Sequence, residues 1–479
     1  MAGVMRVTSV DTSSQELKGP VSERIAAGRD AMASVAGYDQ DAVDDLARAV
    51  ARGVLREDHC TDLTASHAHE TGIGTQQGTR EKLQRIVRSA LAGILGAPSV
   101  GRIDTDRPGV VEVAKPVGVI GALIPSTNPA STAAFLAMMA VKGRNSIVFS
   151  PPPTAVETAE RAVSYIRAEL ARVDAPRNLV QTLERPITRE KAYELLEMAD
   201  FANVTGSTRN VRAGETSGTP NYCVGAGNAT ALVDETADVE ATAAALATGA
   251  AFDNGAICTS ESNLVVDERI SDALFEALRE QGGYVCSSDE SATVATALFE
   301  NGHRRRELVA QPGTDIAAAA GIEADEDTEF LVLRGGNRVD QRAFAREKLA
   351  PVLTVYLGRG FTDLIARANR VLDIEGSGHS CVLHTERDDR VERVAREVDV
   401  CRAVVNQSGG LGLCGYGNGL DTTVSLGAGV WGGNQLDENL TYHHFLTTTR
   451  VARPVDEELP DDSELFDEYQ QSRRSSESQ

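Results

Sequence analysis

The sequence predicts a two-lobed α/β protein built on parallel sheets, and three observations predict it. The chain has 479 residues, beyond the roughly 250–300 at which a single hydrophobic core stops growing. Short apolar runs alternate with longer segments of helical periodicity, the pattern of βαβ units. That alternation occurs twice, in separate halves of the chain.

Residues 1–20 are polar and aperiodic. Over 21–53, Ile25, Met32, Val43, Leu46 and Val50 recur at helical separations, and over 80–95 Leu83, Ile86, Val87, Leu91 and Ile94 form a second helical stripe. After a turn at Asp106–Gly109, the run from Val117 to Ile124 is almost wholly apolar and stops at Pro125, as a strand buried on both faces does. The first alternating series follows: helix 130–141, strand 146–150, helix 155–172, strand 179–183, helix 189–198 and strand 201–204. A long Ala-rich helix at 237–251 opens the second series, with helix 269–281, strands 329–333 and 352–357, helix 361–372, strand 380–384 and helix 389–398. Glycines crowd residues 406–435, where the backbone is expected to loop close to another group. The expected division is 1–225, 226–430, a returning segment 431–455, and an acidic, solvated and mobile tail 456–479.

The formal charge of −23 opposes a nucleic-acid partner, because phosphate backbones select clustered Lys and Arg. Lysine is scarce while carboxylates are in excess, a composition that suits a halophilic protein kept soluble in high salt. An acidic protein from an arginine-rich proteome would share these letters. The seven cysteines form no close-spaced ligand pairs, which favours reduced thiols in a cytoplasmic setting and argues against a zinc site or a disulfide framework. No apolar run reaches the 18 or more residues that a membrane helix requires.

Cys258, in the segment FDNGAICTS, sits where helix changes to strand. A thiolate there can add to a carbonyl carbon, and an inert buried cysteine fits the same position. The preceding helix points its negative end at the segment, so activation must come from another group. Thr205, Gly206 and Ser207 end a strand and open a helix, with Arg209 and Arg212 close behind; they suit either a phosphate site or an ordinary capped helix. Asn128, between Thr127 and Pro129, is an oxyanion donor or a plain turn residue. His379, in the run GSGH, is a mobile proton carrier or an exposed loop histidine.

Together, AKPVGVIGALIPSTNPAS at 114–131, VKGRNSIVFSPPP at 141–153, VGAGNATALVDETADVEA at 224–241, FDNGAICTSES at 252–262, EKLAPVL at 347–353, EGSGHS at 375–380 and GVWGGNQLDENLTY at 429–442 resemble the aldehyde dehydrogenase superfamily, in its coenzyme A-acylating branch. The resemblance runs from about residue 20 to 453. It implies two Rossmann-like lobes with a small β arm for oligomerisation, as a homodimer or homotetramer. It assigns Cys258 as nucleophile and either Asn128 or Thr127 to the oxyanion site. It also places Glu347 on the nicotinamide ribose, Gly206 and Ser207 beside the pyrophosphate, and His379 at the coenzyme A thiol. Ser150, opening the run SPPP, is a further residue implied to bind the cofactor. The implied cofactor is NAD or NADP, with coenzyme A as co-substrate and no metal.

Hydrolytic relatives carry a glutamate where this chain has Cys223, so a thiol rather than water is the implied acyl acceptor. Two further departures bear on the cofactor. Pro152 stands where branch members often have His, and Glu157 where some have Lys; a carboxylate there opposes the extra phosphate of NADP, while Ala155 leaves room for it. The wording VVNQ at 404–407 and DENLTYHHF at 437–445 is nearest to the sulfoacetaldehyde and succinate-semialdehyde enzymes, which implies a short anionic aldehyde. The competing readings are a hydrolytic enzyme releasing a free acid and a non-catalytic scaffold of the same fold.

Overall fold

The computed structural model describes residues 19–103, 105, 107–336, 339, 342–456 and 459–477. All but the last two of the aperiodic residues at 1–20 therefore lie outside the described residues. Among the described residues, no helix is long and apolar enough to cross a membrane.

Helices Pro20–Ser34, Gln40–Leu55, Glu57–Thr71 and Gln76–Lys82 open the chain, the last continuing through a π turn into Arg88–Ile94. Helix Glu57–Thr71 has no apolar stripe in the sequence because the face it buries consists of Cys60, Leu63, Thr64 and His67. Helix Pro129–Lys142 is buried at every position, as a helix apolar all round must be. It packs between Gln40–Leu55, Val156–Arg172 and the first sheet.

That first sheet has the order Val180–Thr182, Ser146–Ser150, Val119–Leu123, Phe201–Thr205, Asn221–Val224, all parallel. The chain leaves the central strand in one direction and then crosses to its other side, so strand order reverses between Val119–Leu123 and Phe201–Thr205. In open α/β sheets, crevices form at the carboxyl ends of strands at such a reversal.

The second sheet is seven-stranded and parallel, in the order Gly283–Val285, Phe330–Gly336, Val352–Gly358, Asn263–Asp267, Thr230–Val233, Cys381–His384, Ala403–Val405. Strand Leu446–Ala452 pairs antiparallel with Val110–Pro116, which also pairs with Gly101–Ile103. This three-stranded sheet is separate from the two parallel ones. Within the acidic tail, Asp462–Glu477 is a helix, and Leu465, Phe466 and Tyr469 on it are exposed.

Candidate active site

Four loops enter the second sheet at one edge. Gly227 precedes strand Thr230–Val233, Cys258 precedes Asn263–Asp267, Glu347 precedes Val352–Gly358 and His379 precedes Cys381–His384. Because these strands are parallel, all four residues gather at the sheet's amino edge.

Gly227 is the point of closest approach. A β-carbon there would stand 2.1 Å from the carbonyl oxygen of Cys258 and 2.9 Å from Cε1 of His379. Its N–H donates to Glu347 Oε1 at 2.8 Å, and Glu347 Oε2 pairs with Arg304 at 3.0 Å. Where the resemblance assigns Glu347 to a ribose, its carboxylate here ties the Gly227 loop to Arg304. Lys348 ties its own segment to the chain just beyond Cys258, its buried Nζ donating to the Ser262 carbonyl at 2.8 Å and to Asn263 Oδ1 at 3.2 Å. Burial lowers this ammonium to about 7, with Glu375 and Glu347 opposing the fall and Arg304 adding to it.

Cys258 lies in a turn after the short helical turn Phe252–Gly255, where Asp253, Asn254 and Gly255 have φ of 50°, 52° and 71°. Left-handed backbone in consecutive non-glycine residues is costly and persists only where the surroundings enforce it. The enforcing group is a buried ion pair between Asp253 and Lys82. Lys82 Nζ also donates to the Ala256 carbonyl at 2.9 Å, and Asp253 accepts from the Thr75 N–H at 2.6 Å. Gly74 and Gly78 leave the space, since β-carbons there would lie 2.4 Å and 2.3 Å from Asp253 Oδ1. This clamp joins positions far apart in sequence, and the sequence reading missed it; a lone buried-type Lys on an apolar helix stripe was the available signal.

Burial raises the Cys258 thiol well above the ordinary thiol range, with the charges of Cys414 and Glu347 adding to the rise and Arg402 opposing it. Arg402 is itself buried. It donates to the carbonyls of His379 and Gly427, at 2.5 Å and 2.7 Å. His379 is 1% exposed, which corrects the expectation of a flexible loop histidine. Gly378 (φ 79°) presses against the Ala428 carbonyl and the His379 N–H donates to the Gly376 carbonyl, so the run is packed rather than mobile. Burial and Arg402 push this imidazole down to about 3. It is therefore neutral at working pH, a hydrogen-bonding group rather than a proton store. Its Nδ1 contacts Ser380 Oγ at 2.8 Å and its Nε2 has no partner among the described residues.

Asn128 stands at the start of helix Pro129–Lys142 without capping it through its side chain, and its amide donates to Thr127 Oγ1 at 3.2 Å, leaving its own buried Oδ1 without a partner among the described residues. Among the described residues, no hydrogen bond joins Asn128 or Thr127 to Cys258 or His379. Cys223 is a buried packing residue. Its Sγ contacts Asn221 Oδ1 at 3.2 Å, and burial pushes the thiol to about 12, so this side chain does not take the place of the missing glutamate as a base. Glu261, three residues beyond Cys258, is a second residue missed by sequence. It is 1% exposed, accepts the Gly409 N–H and is raised to about 7 by burial.

Beside this cluster a cleft of about 980 Å³ runs between the lobes. Leu123, Ser150 and Ser207 line it from the carboxyl edge of the first sheet, and His303, Arg306, Arg346 and Glu375 from the second lobe. Ser207 accepts from the Asn210 N–H at 3.4 Å as the cap of helix Thr208–Glu215. Gly206 precedes that cap and donates to the Val224 carbonyl. The size and the donor-rich helix start fit a dinucleotide.

Residues 25–417 match the sequence profile of the Aldehyde dehydrogenase family. The chain belongs to the aldehyde dehydrogenase family. It is 33% identical over 442 residues to a sulfoacetaldehyde dehydrogenase (acylating) of Bilophila wadsworthia, covering 91% of this chain and 95% of that one. It is 32% identical to a succinate-semialdehyde dehydrogenase (acetylating) of Clostridium kluyveri, covering 90% and 95%. An acetylating aldehyde dehydrogenase of Geobacillus thermoglucosidasius has the same fold, with a TM-score of 0.88 at 30% identity over 92% of this chain and 98% of that one. These relatives set this aldehyde dehydrogenase with the acylating branch of its family, as its motifs imply.

Proposed function

We propose that this aldehyde dehydrogenase oxidises a short anionic aldehyde, sulfoacetaldehyde or succinate semialdehyde, to its coenzyme A thioester. The observation that carries the reading is the meeting of Cys258, His379 and Glu347 around Gly227, with a buried thiol at position 223 in place of a water-activating carboxylate. Cys258 Sγ adds to the aldehyde carbon, forming a thiohemiacetal. A nicotinamide, when bound in the cleft, supplies the acceptor for the departing hydride. The thiohemiacetal hydroxyl proton passes to water, Cys258 is left as a thioester, and Asn128 or Thr127 donates to the acyl oxygen. The coenzyme A thiolate then attacks the acyl carbon and Cys258 leaves as thiolate. Neutral His379 orients the entering sulfur through its free Nε2.

Ser150, Gly206 and Ser207 would hold the NAD or NADP from the first lobe. The named relatives support the substrate class, and the excess of carboxylates supports work at high salt in a cytoplasm. Antiparallel strand Leu446–Ala452 supports assembly into a homodimer or homotetramer, which light scattering in solution reads directly.

The test is intact-mass analysis after mixing enzyme, oxidised cofactor and each aldehyde. An acyl adduct on Cys258 that disappears when coenzyme A is added is expected, and Cys258→Ala must show neither adduct nor reduced cofactor. Rapid turnover without coenzyme A would select the hydrolytic alternative, and full activity of Cys258→Ala would end the proposal.

A further inference from the structure

We infer that Arg189, Arg209 and Arg212 form an anion subsite at the outer end of the cleft that takes the phosphomonoester of an adenosine ribose. Two ligands carry that group, NADP on the 2′ oxygen and coenzyme A on the 3′ oxygen. The inference rests on the reading of the cleft as the cofactor and coenzyme A site.

Arg189, Arg209 and Tyr193 line the cleft and also the shallower bay beyond it, where Arg212 joins them. In a chain of formal charge −23, exposed arginines mostly meet carboxylates: Arg80 meets Glu57, Arg161 meets Asp62 and Glu157, Arg185 meets Glu160 and Arg393 meets Glu397. Among the described residues, none of Arg189, Arg209 and Arg212 has a carboxylate within 4.0 Å. Three unpaired cations side by side run against the composition of the whole surface.

Their place on the helices is also unfavourable in the free protein. Arg189 is the first residue of helix Arg189–Met198, and Arg209 lies in the first turn of Thr208–Glu215. Helix starts carry positive partial charge and favour anions. Two helices that both place arginine in the first turn, both facing one cleft, make a strongly electropositive lip. Tyr193, which lines both bays, has a buried hydroxyl without a partner among the described residues.

The nearby carboxylates do not cancel this charge. Glu190 is held at its own helix start, first by its own backbone N–H and then by Thr188, with Arg189 contributing least, and Glu197 is one carboxylate against three arginines in the outer bay. Glu157, expected from the sequence to oppose the extra phosphate of NADP, instead pairs with Arg161 at 2.6 Å and is not among the residues lining the cleft. Glu70 occupies the amides of Glu157 and Thr158 at that helix start, both at 2.8 Å. The helix start after Ser150 is therefore filled by the protein itself, whereas the arginine lip is open.

Arginine binds a phosphomonoester through charge-assisted hydrogen bonds, so the subsite discriminates ligands with the group from those lacking it. Isothermal titration at fixed ionic strength, since salt screens exposed charges, compares NADP+ with NAD+ and coenzyme A with 3′-dephospho-coenzyme A. The expected result is about tenfold or greater preference for the phosphorylated member of at least one pair, and the pair affected identifies the source. In Arg209→Gln/Arg212→Gln the preference falls to near unity while affinity for the unphosphorylated partner is kept; Arg209→Lys retains part of it. These side chains make no hydrogen bonds among the described residues, so the variants keep the fold, and an unchanged melting temperature checks that. Equal affinities within both pairs, or an undiminished preference in the double variant, overturn the inference while leaving the cleft reading intact. Failure of all four ligands to bind overturns both.

Discussion

Replacing Gly227 by alanine tests the assembled site more sharply than replacing any catalytic group, because it adds one carbon and removes nothing. That carbon would lie 2.1 Å from the Cys258 carbonyl oxygen, a backbone atom that cannot swing aside, with Cε1 of His379 at 2.9 Å closing the other route. Reaching even 3.0 Å requires the two backbones to part by about 0.9 Å. A displacement of that size at a reacting atom costs on the order of 10²-fold in rate, equivalent to about 2.7 kcal/mol of transition-state stabilisation. The added strain lowers stability by about 1–3 kcal/mol. The assay is steady-state formation of reduced cofactor together with calorimetric binding of NAD+ or NADP+, the first falling about 10²-fold and the second holding. Gly93→Ala is the control, since a β-carbon there meets nothing within 4 Å. A Gly227→Ala enzyme with kcat/KM within threefold of wild type would refute the claim that this glycine sets the position of Cys258.

Two further predictions concern buried charge. Lys82→Met strands the buried Asp253 carboxylate and is expected to destabilise by about 3–5 kcal/mol, with loss of activity because the Cys258 turn relaxes; adding Asp253→Asn should recover much of the stability in chemical denaturation, and additive losses would contradict a direct coupling. Glu261→Gln is expected to keep the Gly409 contact while removing a carboxylate whose pKa is raised to about 7. A raised carboxylate contributes its stability fully below the unfolded value of about 4.3, and that contribution is lost as pH rises through 7. Melting curves should therefore show the variant gaining on wild type between pH 5 and 8, and a gap that stays constant with pH would exclude the assignment.

Element type was legible in the sequence wherever burial follows a local period. The all-apolar run before Pro125 and the alternating helices and strands over residues 130–204 match the first sheet, because one side chain's burial predicts its neighbours' at spacings of two or 3.6 residues. Helix Glu57–Thr71 escaped because its buried stripe uses Cys, Thr and His, which carry no apolar signature. Order along the chain also carried the motifs that mark its family, Cys258 lying within one of them.

Tertiary structure alone decided what those residues touch. Lys82 meets Asp253 across 171 positions in number, Glu347 closes on Gly227 and Arg304, Glu157 pairs with Arg161, and His379 is sealed in by a glycine turn. None of these follows a period, since contacts between distant segments depend on how sheets and helices pack and on which atoms arrive at one edge together. Sequence determines which chemistry the chain can carry; packing determines the distances, the burial and the charges at which that chemistry operates.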